Sequence, residues 1–152
     1  MNVLQAVKMF SKVFSALVNG IQAEIVEVET DISSVGLPTF NMVGLAETAV
    51  KESRDRVKSA MKNMNLNVFS HPITINLAPA DIKKEGTHFD LPVAVGLTCS
   101  AGMVKSVPED CMFAGELSLD GRLRAVGGIL PIAEGAKLAG FTKLVVPADN
   151  AD

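Results

Sequence analysis

The chain has 152 residues, 48% of them hydrophobic and 20% charged, with a formal net charge of -3. That length suits one domain, which buries roughly two-thirds of its unfolded surface and so supports its own core. The acidic balance excludes a nucleic-acid module with a domain-wide basic surface, though not a local patch, and with no Trp or Tyr any base stacking falls to seven Phe.

Residues 13–18, a central Asn19-Gly20 and residues 21–32 read as a β-hairpin, because Asn-Gly supplies the two positive φ angles of a type I′ turn. Val26, Val28 and Thr30 alternate with Ile25, Glu27 and Glu29, so one face of the second arm is partly wet. Residues 38–43 form a strand that begins at Pro38, a position where proline is tolerated. Residues 46–64 are the clearest helix, with Val50, Val57, Ala60, Met61 and Met64 on one apolar stripe. Glu47–Lys51 and Glu52–Arg56 are i,i+4 pairs in the favourable order. Residues 73–77 are a short buried strand, and the segment 76–81 turns the chain into a loop.

Residues 90–102 read as a central buried helix, apolar all round, with Asp90 as its cap and Pro92 in its first turn. Residues 112–119, Asp120-Gly121 and 122–126 read as a second hairpin. A helix over 127–139 ends at Gly140, and 143–146 is the last strand. This order predicts an α/β fold, a two-layer sandwich of mixed β-sheet and helices. The longest nearly uncharged run, 91–104, is too short to span a bilayer. Cys99 and Cys111 lack metal spacing, with Cys99 read as a buried thiol, and there is no secretory signal. A reduced, cytoplasmic setting without membrane contact is expected.

Two segments carry a resemblance. Lys84-Glu85-Gly86-Thr87-His88-Phe89-Asp90 and the run from Gly115-Glu116 to Val126-Gly127-Gly128 resemble the two active-site segments of the Lon-type protease domain. Six motifs in order, the last overlapping the first of these segments, extend the likeness, among them Gly36-Leu37-Pro38-Thr39-Phe40, Val50-Lys51-Glu52-Ser53-Arg54 and Asn76-Leu77-Ala78-Pro79-Ala80-Asp81. Over about residues 9–152 the chain resembles the N-terminal domain of the ComM/YifB family of magnesium-chelatase-like AAA+ proteins. The resemblance implies a ribosomal-protein-S5-domain-2-like, Lon proteolytic-domain-like fold. It also implies that residues 9–152 are one domain of a longer AAA+ protein and that residues 1–8 are an upstream start or an appended extension.

In the Lon family the first segment holds a nucleophilic serine and the second the lysine that activates it. The resemblance puts His88 at the serine position and Leu130 at the lysine position. Leu130 cannot accept a proton, and a histidine base without a nucleophile hydrolyses nothing. A Lon-like serine peptidase is therefore the disfavoured alternative, and no catalytic residue is assigned. Thr87-His88 also stands where the family usually carries small residues.

Lys51, Arg54, Lys58 and Lys62 form one basic stripe on the first helix, which suggests contact with a phosphate backbone. Glu47 and Asp55 share the stripe, so a solvated face is the plainer reading. Lys83 and Lys84 precede the former nucleophile loop and suit an anion or a neighbouring domain, or else are loop charges. His88, with only His71 as companion, reads as an exposed or capping histidine and not a metal ligand. The Gly-x-x-x-x-Gly-Lys-Ser/Thr loop of a nucleotide site is absent.

What the resemblance implies for the parent is ATP-driven DNA remodelling, as branch migration in recombination and transformation. ATP and Mg would sit in its downstream AAA+ domain. This chain would then be a non-catalytic accessory domain that contacts DNA without sequence preference, contacts its own AAA+ domain, or helps assemble a ring-forming homo-oligomer. An RNA- or ribosome-associated module is a third reading, by analogy of fold alone.

Overall fold

A computed structural model describes residues 10–151; the extension at 1–8 lies outside them. In chain order the elements are β1 (Phe10–Asn19), β2 (Gln22–Ile32), β3 (Thr39–Val43), α1 (Glu47–Asn63), β4 (Pro72–Ala78), α2 (Asp90–Ser100), β5 (Cys111–Phe113), β6 (Glu116–Leu117), β7 (Leu123–Arg124), α3 (Ile129–Leu138) and β8 (Lys143–Val145). Six strands make one mixed sheet in the order β3-β4-β2-β1-β5-β8, and β6 and β7 form a separate ribbon.

The long antiparallel pair β1–β2 is the spine of the sheet, in register from Phe10↔Asp31 to Asn19↔Gln22. β4 runs antiparallel to β2, while β3 joins β4, β5 joins β1 and β8 joins β5 in parallel. The first hairpin turns on Gly20-Ile21, one position later than Asn19-Gly20. Gly20 alone has positive φ there, at 65°, as a type II′ turn requires of its first residue. Asn19 thereby stays in the ladder, and its amide donates to Glu24 Oε1 at 3.2 Å.

The expected second hairpin is split. β5 enters the main sheet, and β6 pairs with β7 across the loop 118–122. The break falls at Gly115, whose backbone is already engaged: its N–H donates to His88 O at 2.9 Å and its carbonyl accepts from Leu91 N at 3.0 Å. A backbone group used there cannot also extend a ladder.

The expected α/β sandwich of mixed sheet and helices is present. α1 and α2 cover one face, where Val13, Val26, Val28 and Ile32 meet Val57, Met61, Phe89, Val93 and Leu97 in one core. α3 covers part of the other face, packing Ile132 and Ala136 against Ala16, Met112 and Ala114. Alternate residues of β1 thus serve two cores, as the twofold period of a strand dictates. α2 lies close on the sheet because Gly96 has no side chain: a Cβ there would stand 2.5 Å from Thr30 Oγ1. Ser11 Oγ donates to Gly96 O at 2.8 Å and Ser100 Oγ to Ser11 Oγ at 2.8 Å, so the contact is polar in an otherwise apolar layer. Cys99 and Cys111 are both buried and not joined in a disulfide. Among the described residues no helix is long and apolar enough to cross a membrane.

Candidate functional site

The structure brings the two motif segments together. The paired bonds between residues 88, 91 and 115 are reinforced by Leu117 N, which donates to Asp90 Oδ2 at 3.2 Å. Beside this seam lies a cleft of about 740 Å³ whose wall includes Asn19, Glu24, Asp81, Lys83, His88 and Gly128. Leu130 is not part of that wall; it stands on the first turn of α3, 71% exposed.

His88 sits in a 3-10 turn (Thr87–Phe89) and is only 8% exposed. This corrects the expectation of an exposed or capping histidine. Its Nε2 lies 2.8 Å from Ala16 O. A carbonyl only accepts, so Nε2 carries the proton, and the neutral ring leaves Nδ1 bare. Gly86 has φ 111°, and a Cβ on it would come within 2.6 Å of His88 Nδ1, so this glycine makes room for the ring. Burial lowers the His88 pKa below its ordinary 6.5, against smaller opposing effects from the Ala16 carbonyl and Asp90.

The neutral ring therefore adds stability that is complete above pH 6.5 and lost as pH falls through the depressed folded value. The urea midpoint of the wild-type chain should fall more steeply between about pH 7 and pH 5 than that of His88→Gln. Parallel slopes would show that the buried ring takes up its proton freely.

Lys84 is not the loop charge expected from its place beside Lys83. It is wholly buried, its Nζ donates to Pro79 O and, at 2.9 Å, to Ile82 O, and its backbone bridges to Leu45. That bridge pulls residue 84 under the loop, where its ammonium serves the carbonyls of the turn 79–82, which carries a cis Ala78–Pro79 peptide. It is withdrawn from any contact with DNA, an anion or a second domain. Burial lowers its pKa, with Asp81 opposing. Lys83 stays exposed and pairs with Glu85 at 2.7 Å.

Asp90 is also corrected: the turn at 87–89 runs directly into α2, so Asp90 has helical backbone and caps nothing. Its side chain, 0% exposed, accepts from Ser53 Oγ at 2.7 Å, Arg56 Nε at 2.7 Å and Arg56 Nη2 at 3.2 Å, besides the Leu117 amide. Burial pushes its pKa up, while the Arg56 guanidinium, the Ser53 hydroxyl and the Leu117 amide oppose that shift. Arg56 is thereby taken from Glu52, its expected helical partner. One signal was readable: Ser53 is a polar residue within the apolar stripe of α1, three positions after Val50 and four before Val57.

On the outer side of α1, Lys51, Lys58 and Lys62 are exposed and Arg54 is half-buried. Among the described residues none of the four is in an ion pair, and the Glu47–Lys51 bridge is not closed. Lys58 Nζ lies 5.9 Å from the centre of the Phe69 ring. The end of α1 meets the β6–β7 loop, where Asn63 Nδ2 donates to Leu119 O at 2.6 Å. That contact brings the exposed Arg122 and Arg124 to the same end of the molecule, two cations missed in the sequence. Arg122 is shared with Asp120 at 3.5 Å.

The glycines of the second segment do not make a phosphate cradle. Gly121 and Gly128 take φ 91° and 77° to close the ribbon and open α3, and neither precedes a Lys-Ser/Thr pair. These residues do not fit a nucleotide with its Mg. Among the described residues no group of three or more His, Cys, Asp or Glu is placed to hold a metal.

Comparison with known proteins follows the same lines. A family model described as subunit ChlI of Mg-chelatase matches residues 28–150. The chain is 40% identical over 141 residues to competence protein ComM of Haemophilus influenzae, covering 92% of this chain and 27% of that protein. It is 45% identical over 134 residues to uncharacterized protein YifB of Escherichia coli, covering 88% of this chain and 26% of that protein. A weaker likeness, 28% over 129 residues, links it to the mitochondrial Lon protease homolog of Candida albicans, covering 80% of this chain and 12% of that protein. The chain thus spans about a quarter of the length of ComM and YifB. Since the family match takes in both motif segments and most of the chain, the protein belongs to the magnesium-chelatase (ChlI) family, in its ComM and YifB group.

Proposed function

We propose that this chain is the leading, non-catalytic domain of a longer AAA+ ATPase that remodels DNA, by branch migration in recombination and transformation. ATP and Mg belong to a later domain of that protein, which works in the cytoplasm as a ring of identical subunits. The observation that carries the non-catalytic reading is the state of the Lon-like cleft. Its histidine spends its one ring N–H on a backbone carbonyl, and the residue at the lysine position is an exposed leucine outside the cleft. The kinship with a protein named for competence supports the DNA reading.

Within the ring, the domain touches the DNA backbone without sequence preference through Lys51, Arg54, Lys58 and Lys62, with Lys83 in support. With a net charge of -3, one copy binds weakly, and several copies on one strand make the contact useful. Replacing Lys51, Arg54 and Lys58 by Glu in the full-length protein should weaken DNA binding at least about tenfold near 0.1 M salt and flatten its salt dependence. Unchanged binding across a salt titration would leave the stripe a solvated face and the domain a docking or assembly module.

A further inference from the structure

The side chain of Asn150 grips Val126 from both sides. Val126 N donates to Asn150 Oδ1 and Asn150 Nδ2 donates to Val126 O, each at 2.9 Å. The 3-10 turn Ala148–Asn150 is thus fastened to the segment that leads from β7 into α3. Residue 150 is thereby held close to the start of α3.

The outward side of α3 carries two exposed leucines beside the exposed Glu134 and Lys137. Leu130 and Leu138, 71% and 90% exposed, lie two turns apart with Glu134 between them. Leu138, Pro131 and Gly135 also wall a groove of about 460 Å³, whose opposite wall is the β1–β2 turn with Ile21, 89% exposed, and Ala23. Single exposed leucines are ordinary, but Ile21 and Leu138 face one groove.

We infer that an amphipathic segment of the same polypeptide, beyond residue 152, seats its apolar side chains in this groove between α3 and the β1–β2 turn. The inference rests on the reading that this chain leads a longer protein. The ComM and YifB relatives are more than three times its length, so ample sequence exists to supply the segment. α3 is about 15 Å long, a distance that about five extended residues cover. A tethered segment meets the groove at millimolar effective concentration, on the order that a small patch needs. A second free copy would need about 800 Å² on each partner, more than this groove offers. Glu134 on the rim favours a segment with Lys or Arg beside its apolar face.

The test is thiol alkylation by N-ethylmaleimide of Leu138→Cys and Ile21→Cys, in the full-length protein and in residues 1–152. Cys99 and Cys111 are 7% and 4% exposed and give a slow background. Both sites should react at least about tenfold more slowly in the full-length protein, while Thr74→Cys on the exposed side of β4 reacts alike in both. Equal rates at Leu138→Cys and Ile21→Cys would overturn the inference and leave the proposed function standing. Protection that grows with the concentration of residues 1–152 alone would overturn it in favour of a second copy. A natural protein that ends at residue 152 would remove the proposed function itself.

Discussion

Asp90→Ala should lower the unfolding free energy by about 3–5 kcal/mol, the cost of breaking a buried ion pair from one side. The carboxylate is fully enclosed and accepts four hydrogen bonds, two from Arg56, one from Ser53 and one from the Leu117 amide. Its removal strands a guanidinium that is only 22% exposed and an amide at the start of the β6–β7 ribbon. Asp90→Asn keeps the volume and some acceptor capacity, so it should lose less. Urea unfolding monitored by far-UV circular dichroism reads both. A loss under about 1 kcal/mol for Asp90→Ala, the worth of an exposed pair, would mean that the network is not formed in solution. The network joins α1, α2 and β6, so its loss should also raise amide exchange along residues 115–124.

Lys84→Met is the second large effect, about 2–3 kcal/mol, since it leaves the carbonyls of Pro79 and Ile82 without their donor while keeping an apolar stem of similar length. The pH dependence has a definite sign. Burial holds the folded Lys84 pKa below its ordinary 10.5, so the unfolded chain binds the extra proton. The associated stability is complete above pH 10.5 and is lost as pH falls through the folded value. Wild type should therefore gain stability relative to Lys84→Met as pH rises toward 10.5; a constant difference would place the ammonium in water. Lys83→Met, at the exposed neighbour in the same loop, should change stability by no more than about 0.5 kcal/mol.

How much could be read beforehand depended on whether the deciding contact was local. α1 came through because its apolar stripe lies within the helix, and α3 because Gly140 marks its end. α2 came through because a helix without a polar face has to be interior. Where a distant residue decided, the sequence was nearly silent, Ser53 in the apolar stripe of α1 being the one trace of the Asp90 network. Lys83 and Lys84 are the same residue type side by side; only the bridge to Leu45, far back in the chain, makes one a surface charge and the other an internal strut. Asp90 stands where caps stand, and nothing local shows that the preceding turn continues into the helix. Its partners Ser53 and Arg56 come from another helix. The Asp120-Gly121 turn was sound as a local signal, yet the strand leading to it breaks because the Gly115 backbone is claimed by the loop at residues 88–91. The meeting of the two motif segments was legible only through family resemblance, since nothing in their spacing makes them neighbours.

The placement of β1 at the middle of the sheet has a consequence for how the chain assembles during synthesis. Its antiparallel neighbour β2 follows at once, across a two-residue turn, and β4 can add as soon as residue 78 has emerged. Its other neighbour, β5, pairs through Phe14↔Met112, so that side waits for roughly a hundred residues and bears the closure entropy of a long loop. Until then one margin of β1 is open to any extended strand in the vicinity. The nascent chain is most prone to mispairing in that interval, and what ends the hazard is the arrival of three residues, Cys111–Phe113, followed by β8 to shield them in turn.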